Sequence, residues 1–287
     1  MSTNTPVWLI TATSSGFGKE IALNALKRGH KVIATGRSVN NLTDLKEAGA
    51  YILKLDVVAP LDDIKKVAEE ANGKYGRIDI LVNAAGYILE GAIEEATPEQ
   101  TFDNFNTNVF GMLNVTRSVL PYMRRQRSGL IAAFGSLGSW RGSAGGGIYC
   151  ATKWACSGLM ESLRPEIEPF GISALVIEPG YFRSGFLNVG TKISTAIVQD
   201  YENTLVGAQR KLFAKVANNQ LGDVAKGAEV VVDVLTKSGS AEGKEIPVRL
   251  VLGSDCQKAI RGKLDSTTQL LDEWKDISYS TDYPVES

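Results

Sequence analysis

Short apolar runs alternate along the chain with longer stretches in which apolar residues recur every three or four positions. Val7–Thr11, Lys31–Thr35, Tyr51–Leu55, Ile78–Val82, Leu130–Phe134, Ile172–Ile177 and Ile246–Leu252 have strand length and are rich in Val, Ile and Leu. Near-continuous apolar runs of this kind suit parallel strands covered on both faces. Between them the spacing predicts helices over Phe17–Arg28, Val39–Ala48, Leu61–Asn72, Ile148–Pro169, Asp223–Leu235 and Asp255–Lys275. Thr97-Pro98-Glu99 reads as an N-cap, a proline at the first helical position and an acid in the first turn, opening a helical region that runs to about Gln126. Asn108 lies inside that region, where asparagine is locally unfavourable, so it marks either a break between two helices or a functional amide. From Thr191 to Gln220 the pattern is helical but irregular. The alternation predicts an α/β fold across residues 1–287: one domain with a doubly wound parallel sheet of about seven strands and helices on both faces.

Composition narrows the functional classes. The 287 residues are 44% hydrophobic and 22% charged, ordinary values for a globular chain. Lys and Arg number 31 against 32 Asp and Glu, so no charge excess draws the chain to nucleic acid or an anionic membrane. No apolar run approaches the roughly 20 residues of a membrane span, and the start MSTNTPVWLI lacks a secretory leader's basic and apolar regions. Cys150, Cys156 and Cys256 show no CxxC spacing, so buried reduced thiols and a cytoplasmic location are expected. The single histidine, His30, excludes His-based zinc sites and Ser-His-Asp triads, and no metal is expected.

Candidate chemistry collects where predicted strands end. The first strand runs through ATSSGFG into a helix, a layout that points backbone N–H groups and a helix N-terminus at a pyrophosphate; a plain tight turn is the alternative. At the end of the second strand an acid would select a free ribose 2′-hydroxyl and an arginine a 2′-phosphate. Arg37 stands there and no acid does, which favours NADP over NAD. Asp56 either accepts from an adenine amino group or opens the following turn. Asn83-Ala84-Ala85-Gly86 is a small-residue turn against which a flat ring can lie. Tyr149 and Lys153 are i and i+4 on one helix, and an ammonium one turn away lowers a phenol's pKa. Taken alone, the pair also suits a surface tyrosine and a solvated lysine. Ser136 sits at a strand's C-terminal end, where ligands of parallel sheets collect.

With these residues in place, the chain resembles the short-chain dehydrogenase/reductase family, with its Rossmann core and Tyr-Lys active site, over about Val7 to Leu252. Thr11-Ala12-Thr13-Ser14-Ser15-Gly16-Phe17-Gly18 resembles the family's T-G-x-x-x-G-x-G, and Asn83–Gly86 its N-[NA]-A-G turn. Asn108, Ser136, Tyr149 and Lys153 fall where the catalytic tetrad falls, and Pro179-Gly180 matches the nicotinamide-side turn. The resemblance implies NADP(H) held by Thr11, Thr13–Gly18, Arg37, Asp56, Val57, Asn83–Gly86, Lys153, Pro179, Gly180, Phe182 and Ser184. Ala12 departs from the pattern, putting a methyl group where the family has its first glycine.

The implied reaction is hydride transfer between the nicotinamide and the carbonyl or alcohol of a small molecule. Ser136 would hold the oxygen, Tyr149 exchange its proton, Lys153 tune the tyrosine, and Asn108 fix a kink and a relay water. The segment 181–220 and the C-terminal extension 255–287 resemble members acting on bulky apolar substrates, of steroid, retinoid or polyketide kind. Leu137, Trp140, Tyr181 and Phe186 are the expected substrate wall, and Gly145-Gly146-Gly147 a loop able to move over it. No clustered basic pair in the sequence calls for an acidic substrate. The scaffold also allows an epimerase, dehydratase or cyclase, or an NADP-binding regulator, and a homodimer or homotetramer.

Overall fold

A computed structural model describes residues 5–189, 191–216 and 219–283; the remaining positions of the 181–220 and 255–287 segments lie outside the described residues. Seven strands form one sheet: β1 (Val7–Ile10), β2 (Lys31–Gly36), β3 (Tyr51–Lys54), β4 (Ile80–Asn83), β6 (Gly129–Phe134), β7 (Ile172–Pro179) and β9 (Arg249–Leu252). Their order is β3-β2-β1-β4-β6-β7-β9, and every neighbouring pair is parallel. The chain winds outward from β1 to β3, then returns to lay β4 on β1's other side. That reversal opens a crevice beyond the carboxyl ends of β1 and β4, the usual ligand position in open α/β sheets.

Strand periodicity explains why both faces are covered. Successive side chains of β1 point to opposite faces: Val7 and Leu9 enter one core, Trp8 and Ile10 the other. The first core meets α3 (Leu61–Tyr75), α5 (Met112–Gln126) and α6 (Gly147–Ile167) through Ile64, Val115, Val119, Cys156 and Met160. The second meets α1 (Gly16–Lys27) and α9 (Val224–Thr236) through Ile21, Ala25, Ala228 and Val231, with α2 (Thr43–Glu47) alongside.

The region expected as one helix from Thr97 is α4 (Pro98–Phe105), a π turn over Asn106–Gly111, and then α5. Thr97 caps α4 as expected, its hydroxyl accepting from Gln100 N at 3.2 Å. Two short strands escape the hydrophobic pattern. β5 (Ile88–Glu90) pairs in parallel with β8 (Thr191–Ile193) in a separate ribbon. The segment expected as irregular helix from Thr191 therefore begins as a strand, follows the short α7 (Phe186–Val189), and becomes helical at α8 (Leu205–Val216). The last strand is also shorter than expected. It starts at Arg249, while the Ile246 carbonyl accepts from Arg164 Nη2 at 2.9 Å. The C-terminal helix is α10 (Ser254–Glu273), followed by α11 (Lys275–Tyr279). No helix of the described residues is long and apolar enough to cross a membrane.

Two local features carry testable consequences. Trp8 is fully buried, and its indole Nε1 donates to His30 Nδ1 at 3.1 Å, with the rings stacked. Burial and the neighbouring Arg28 charge hold His30 below its ordinary value of 6.5. The folded state thus favours neutral imidazole, so its contribution is complete above about pH 6.5 and is lost as pH falls through the lowered folded value. The stability advantage of the wild type over His30→Gln, measured by urea unfolding, should shrink between pH 7.5 and 5. A constant difference across that range would contradict this.

Ala12 links β1 to α1 with φ +54°, a left-handed conformation disfavoured for alanine by roughly 1–2 kcal/mol. Glycine removes that strain but adds about 0.4–1 kcal/mol of unfolded-chain entropy. Ala12→Gly should therefore raise stability by up to about 1.5 kcal/mol, or roughly 3–6 °C in Tm. A lower Tm would show that the methyl contributes packing that outweighs the strain.

Candidate active site

The loop after β1 is fixed by hydroxyls. Thr13 donates from both its backbone N and its Oγ1 to the Thr35 carbonyl, at 2.9 and 3.1 Å, tying the loop to β2. Thr11 Oγ1 accepts from Ala84 N at 2.9 Å and Ala85 N at 3.2 Å, tying the ends of β1 and β4 together. Gly16 is left-handed at φ +57°, and at Gly18 a Cβ would lie 2.7 Å from the Ala12 carbonyl oxygen. Only glycine lets α1 approach the loop so closely. Ser15 is the N-cap of α1 but makes no side-chain cap bond, and no acid stands in the first turn. The helix N-terminus, with its partial positive charge, faces the crevice without a capping side chain of its own.

A second set of residues meets on the other side of the β4 turn. The Asn108 side chain is buried in the π turn. Its Oδ1 accepts from Tyr87 N at 3.0 Å, and its Nδ2 donates to Tyr87 O at 3.0 Å and to Thr152 Oγ1 at 2.9 Å. The next residue on α6, Lys153, is buried and donates from Nζ to the Phe134 carbonyl at the end of β6, at 2.7 Å. A Cβ on Gly86 would lie 3.1 Å from Asn108 Oδ1 and 3.5 Å from Lys153 Nζ, so the turn closes directly over both. Ser136 follows β6. Its backbone N donates to Ser139 Oγ, which in turn donates to the Lys153 carbonyl at 2.9 Å, locking the serine loop to α6.

Electrostatics departs from the spacing argument. The sequence predicts that the Lys153 ammonium lowers the Tyr149 phenol. Burial is the larger effect and pushes the phenol up, with the Ser136 hydroxyl pulling the other way. Lys153 is itself pushed down by burial. Its nitrogen is 5.8 Å from the Tyr149 ring centroid and engaged with the Phe134 carbonyl, while desolvation disfavours the charged form of both groups.

One cavity of about 660 Å³ joins the two regions. Ser14, Ser15, Gly16, Phe17, Gly18, Arg37, Asp56 and Val57 line one end, with Ala84, Ala85 and Gly86 along the middle. Ser136, Leu137, Tyr149, Lys153, Pro179, Gly180, Tyr181, Phe182, Ser184 and Phe186 line the rest. Asp56 keeps both sequence readings, since it lines the cavity and its Oδ1 also accepts from Val58 N at 3.2 Å. Thr11, Thr13, Asn83 and Asn108 stand behind the wall and shape it; Asn83 Nδ2 donates to Thr116 Oγ1 at 3.2 Å.

Trp140 is the expected wall residue that the structure places elsewhere. Its indole donates to Glu178 Oε2 at 2.7 Å, the Arg249 guanidinium lies 4.4 Å over its ring, and it packs against Cys256 and Ile260. Glu178 is fully buried and needs those donors, Ser157 Oγ and Arg249 Nη1 among them. The sequence did not single out Tyr87, Arg141, Cys150, Leu187, Lys192 or Phe213, all of which line the cavity. Cys150 and Arg141 had a usable signal, being next to Tyr149 and on the loop after Ser136. Lys192 and Phe213 are brought in by the β5–β8 ribbon and α8, which the pattern did not resolve. Glu95 anchors α8 and the segment that follows β8. It is fully buried, accepts from Ala92 N at 2.6 Å and Val198 N at 2.9 Å, and pairs with Arg210 of α8. Among the described residues no group of His, Cys, Asp and Glu is placed to hold a metal ion.

The family model described as short chain dehydrogenase matches residues 6–192. The chain is 32% identical over 283 residues to the oxidoreductase BOA17 of Botryotinia fuckeliana, covering 96% of this chain and 99% of that one. It is 34% identical over 246 residues to a 3-ketodihydrosphingosine reductase of Bacteroides thetaiotaomicron, covering 85% and 89%. A solved short-chain dehydrogenase from Streptomyces avermitilis shares the fold at a TM-score of 0.87 and 38% identity, over 98% of this chain and 100% of that one. A serine dehydrogenase complexed with NADP+ does so at 0.71 and 29%, over 86% and 94%. With this sheet order, these motifs at its strand ends and these relatives, the chain belongs to the short-chain dehydrogenase family.

Proposed function

We propose that the protein is an NADPH-dependent oxidoreductase acting on the carbonyl or secondary alcohol of a bulky, largely apolar small molecule. The observation that carries this reading is convergence. Ser136, Tyr149 and Lys153 line one cavity with the helix N-terminus at Ser15–Gly18 and with Arg37. The cradle fits a dinucleotide. Gly16 and Gly18 sit where side chains would be strained or would clash, α1 begins without a side-chain cap, and Gly86 brings the middle wall against Lys153.

Ser14 to Gly18 would hold the pyrophosphate, Arg37 the 2′-phosphate, and Lys153 the nicotinamide ribose. When bound, the nicotinamide supplies or accepts the hydride. Ser136 Oγ would hold the substrate oxygen, and Tyr149 would give it a proton during reduction or remove one during oxidation. Burial keeps the phenol protonated, which suits a donor in the reductive direction. Asn108 is a positioning residue, fixing Thr152 and the adjoining Lys153. The apolar end, with Leu137, Tyr181, Phe186, Leu187 and Phe213, is the substrate wall, so the 181–220 segment is the substrate-binding part of a single domain. Three buried free thiols suit a reducing, cytoplasmic setting.

Tyr149→Phe keeps the ring and removes the proton. Turnover of a ketone panel with NADPH should fall by about 10²–10⁴-fold while NADPH affinity stays within a few fold. Near-normal rates in this variant would remove Tyr149 from the mechanism.

Cofactor choice is tested at Arg37. Charge-assisted hydrogen bonds to a phosphate contribute about 1.5–3 kcal/mol, which corresponds to a roughly ten- to hundredfold preference for NADPH over NADH. Arg37→Ala should erase most of it by weakening NADPH alone, and Arg37→Asp should reverse it. Equal affinities for the two cofactors in the wild type would leave Arg37 a surface residue.

A further inference from the structure

Arg141 lies on the loop that follows Ser136, and its exposed side chain lines two cavities at once. One is the cavity holding Ser136 and Tyr149. The other, of about 310 Å³, opens beside it between the 141–144 loop and α8. Its α8 wall presents Leu205 and Leu212, which are 77% and 46% exposed. Among the described residues no carboxylate lines this second cavity. Arg141 takes no part in the ion pairs among the described residues, which engage Arg28, Arg77, Arg210 and Arg249 instead. Beside it, Gln209 Nε2 is buried and makes no well-formed hydrogen bond among the described residues, the Tyr181 hydroxyl being the polar group nearest to it in effect.

The chemistry of this corner is therefore one-sided. Arg141 and Gln209 offer donors and a full positive charge, and the surrounding surface offers methyl groups. The charge acts toward the reactive end, since Arg141 pulls the Cys150 thiol and the Tyr181 phenol downward against burial. Of the other cations lining the main cavity, Arg37 and Lys153 belong to the dinucleotide cradle, and Lys192 has its nitrogen 4.3 Å over the Tyr87 ring. No basic pair near the site is visible along the chain; folding brings Arg141, from the loop after Ser136, and Lys192, from β8, to one cavity.

We propose that Arg141 recognises an anionic group at the far end of the substrate. The substrate is then an amphiphilic keto compound: its carbonyl at Ser136 and Tyr149, an apolar middle along the wall, and a carboxylate or phosphate at Arg141. A guanidinium presents a planar fork that matches either anion. This inference rests on the reading of the chain as a carbonyl reductase, and the experiment separates the two.

In the first arm, keto acids with two to eight carbons between ketone and carboxylate are each compared with their methyl esters, using NADPH and full-length protein. A matched keto alkyl phosphate at the best spacing distinguishes phosphate from carboxylate. At one or more spacings the anion should exceed the ester in kcat/KM by about ten- to hundredfold, mainly through KM. That ratio should collapse toward one in Arg141→Ala and be partly retained in Arg141→Lys. In the second arm, octanoate, octyl phosphate and octanol are titrated calorimetrically into the NADPH-loaded protein and both variants, with no turnover required.

Anion binding that Arg141→Ala abolishes, with no ketone turned over, keeps the subsite and sinks the reductase reading. Turnover with acid and ester used alike, or an Arg141→Ala variant whose acid-to-ester ratio is unchanged, keeps the reductase and overturns the subsite. Absence of both turnover and anion binding overturns the two together.

Discussion

The side-chain amide of Asn108 spends its acceptor and both its donors on two residues from separate parts of the chain, Tyr87 and Thr152. Tyr87 belongs to the stretch between β4 and β5, Asn108 to the π turn, and Thr152 to α6. Nothing in the sheet ladder holds these together, because all three lie beyond the strand ends. With the amide in place, Lys153 follows Thr152 into the cavity wall and Gly86 settles within van der Waals reach of both. Without it, the Tyr87 carbonyl would keep its bond from Asn104 Nδ2, but the Tyr87 N–H would be buried without a partner, at a cost of about 1–3 kcal/mol. The candidate site thus depends on an internal hydrogen-bonding group that need not touch a ligand.

Buried charge in this molecule falls into two kinds. Glu95 and Glu178 are fully buried, and each has an arginine and further donors aimed at it. They serve as joints: Glu95 fastens α8 over the cavity, and Glu178 fixes the end of β7 through Trp140 and Arg249. A buried carboxylate with so many donors becomes a liability if one is removed, since the remainder leaves an uncompensated charge. Lys153 and Tyr149 are the contrasting kind. Lys153 has a neutral carbonyl as its partner, and burial presses both groups toward their neutral forms. Groups left without a fixed counter-charge are the ones whose protonation a bound charge can change.

Much of this was legible in the chain, for reasons that can be traced to particular residues. Strands such as VWLI of β1 are buried on both faces, so a continuous apolar run identifies them. The Thr11–Gly18 loop, the Asn83–Gly86 turn and the Ser136, Tyr149, Lys153 set are short-range patterns, and their residues meet through local geometry and one sheet. What stayed hidden depends on contacts between distant segments. β5 and β8 have three residues each and pair across about a hundred positions. Trp140 reads as a wall aromatic until the buried Glu178 is seen to need its indole N–H. The second cavity beside Arg141 exists only because α8 lies against the 141–144 loop. The phenol's response to burial, too, belongs to the folded environment and to no spacing along the helix.

The π turn at Asn106–Gly111 has a meaning for how such a site is inherited. A π turn is an α-helix carrying one additional residue, accommodated by widening a single turn while the faces of the flanking helices keep their alignment. Here it aims a buried asparagine sideways into a region that an uninterrupted helix would cover with an apolar face. Removing one residue from this segment would let α4 and α5 run together and leave the sheet and both cores with their side chains in place. The amide would then be swung out of the wall. Between chains of this architecture, a one-residue gap at this point of an otherwise matching helix would therefore mark a change of occupation, from machinery to scaffold, that overall similarity would not register.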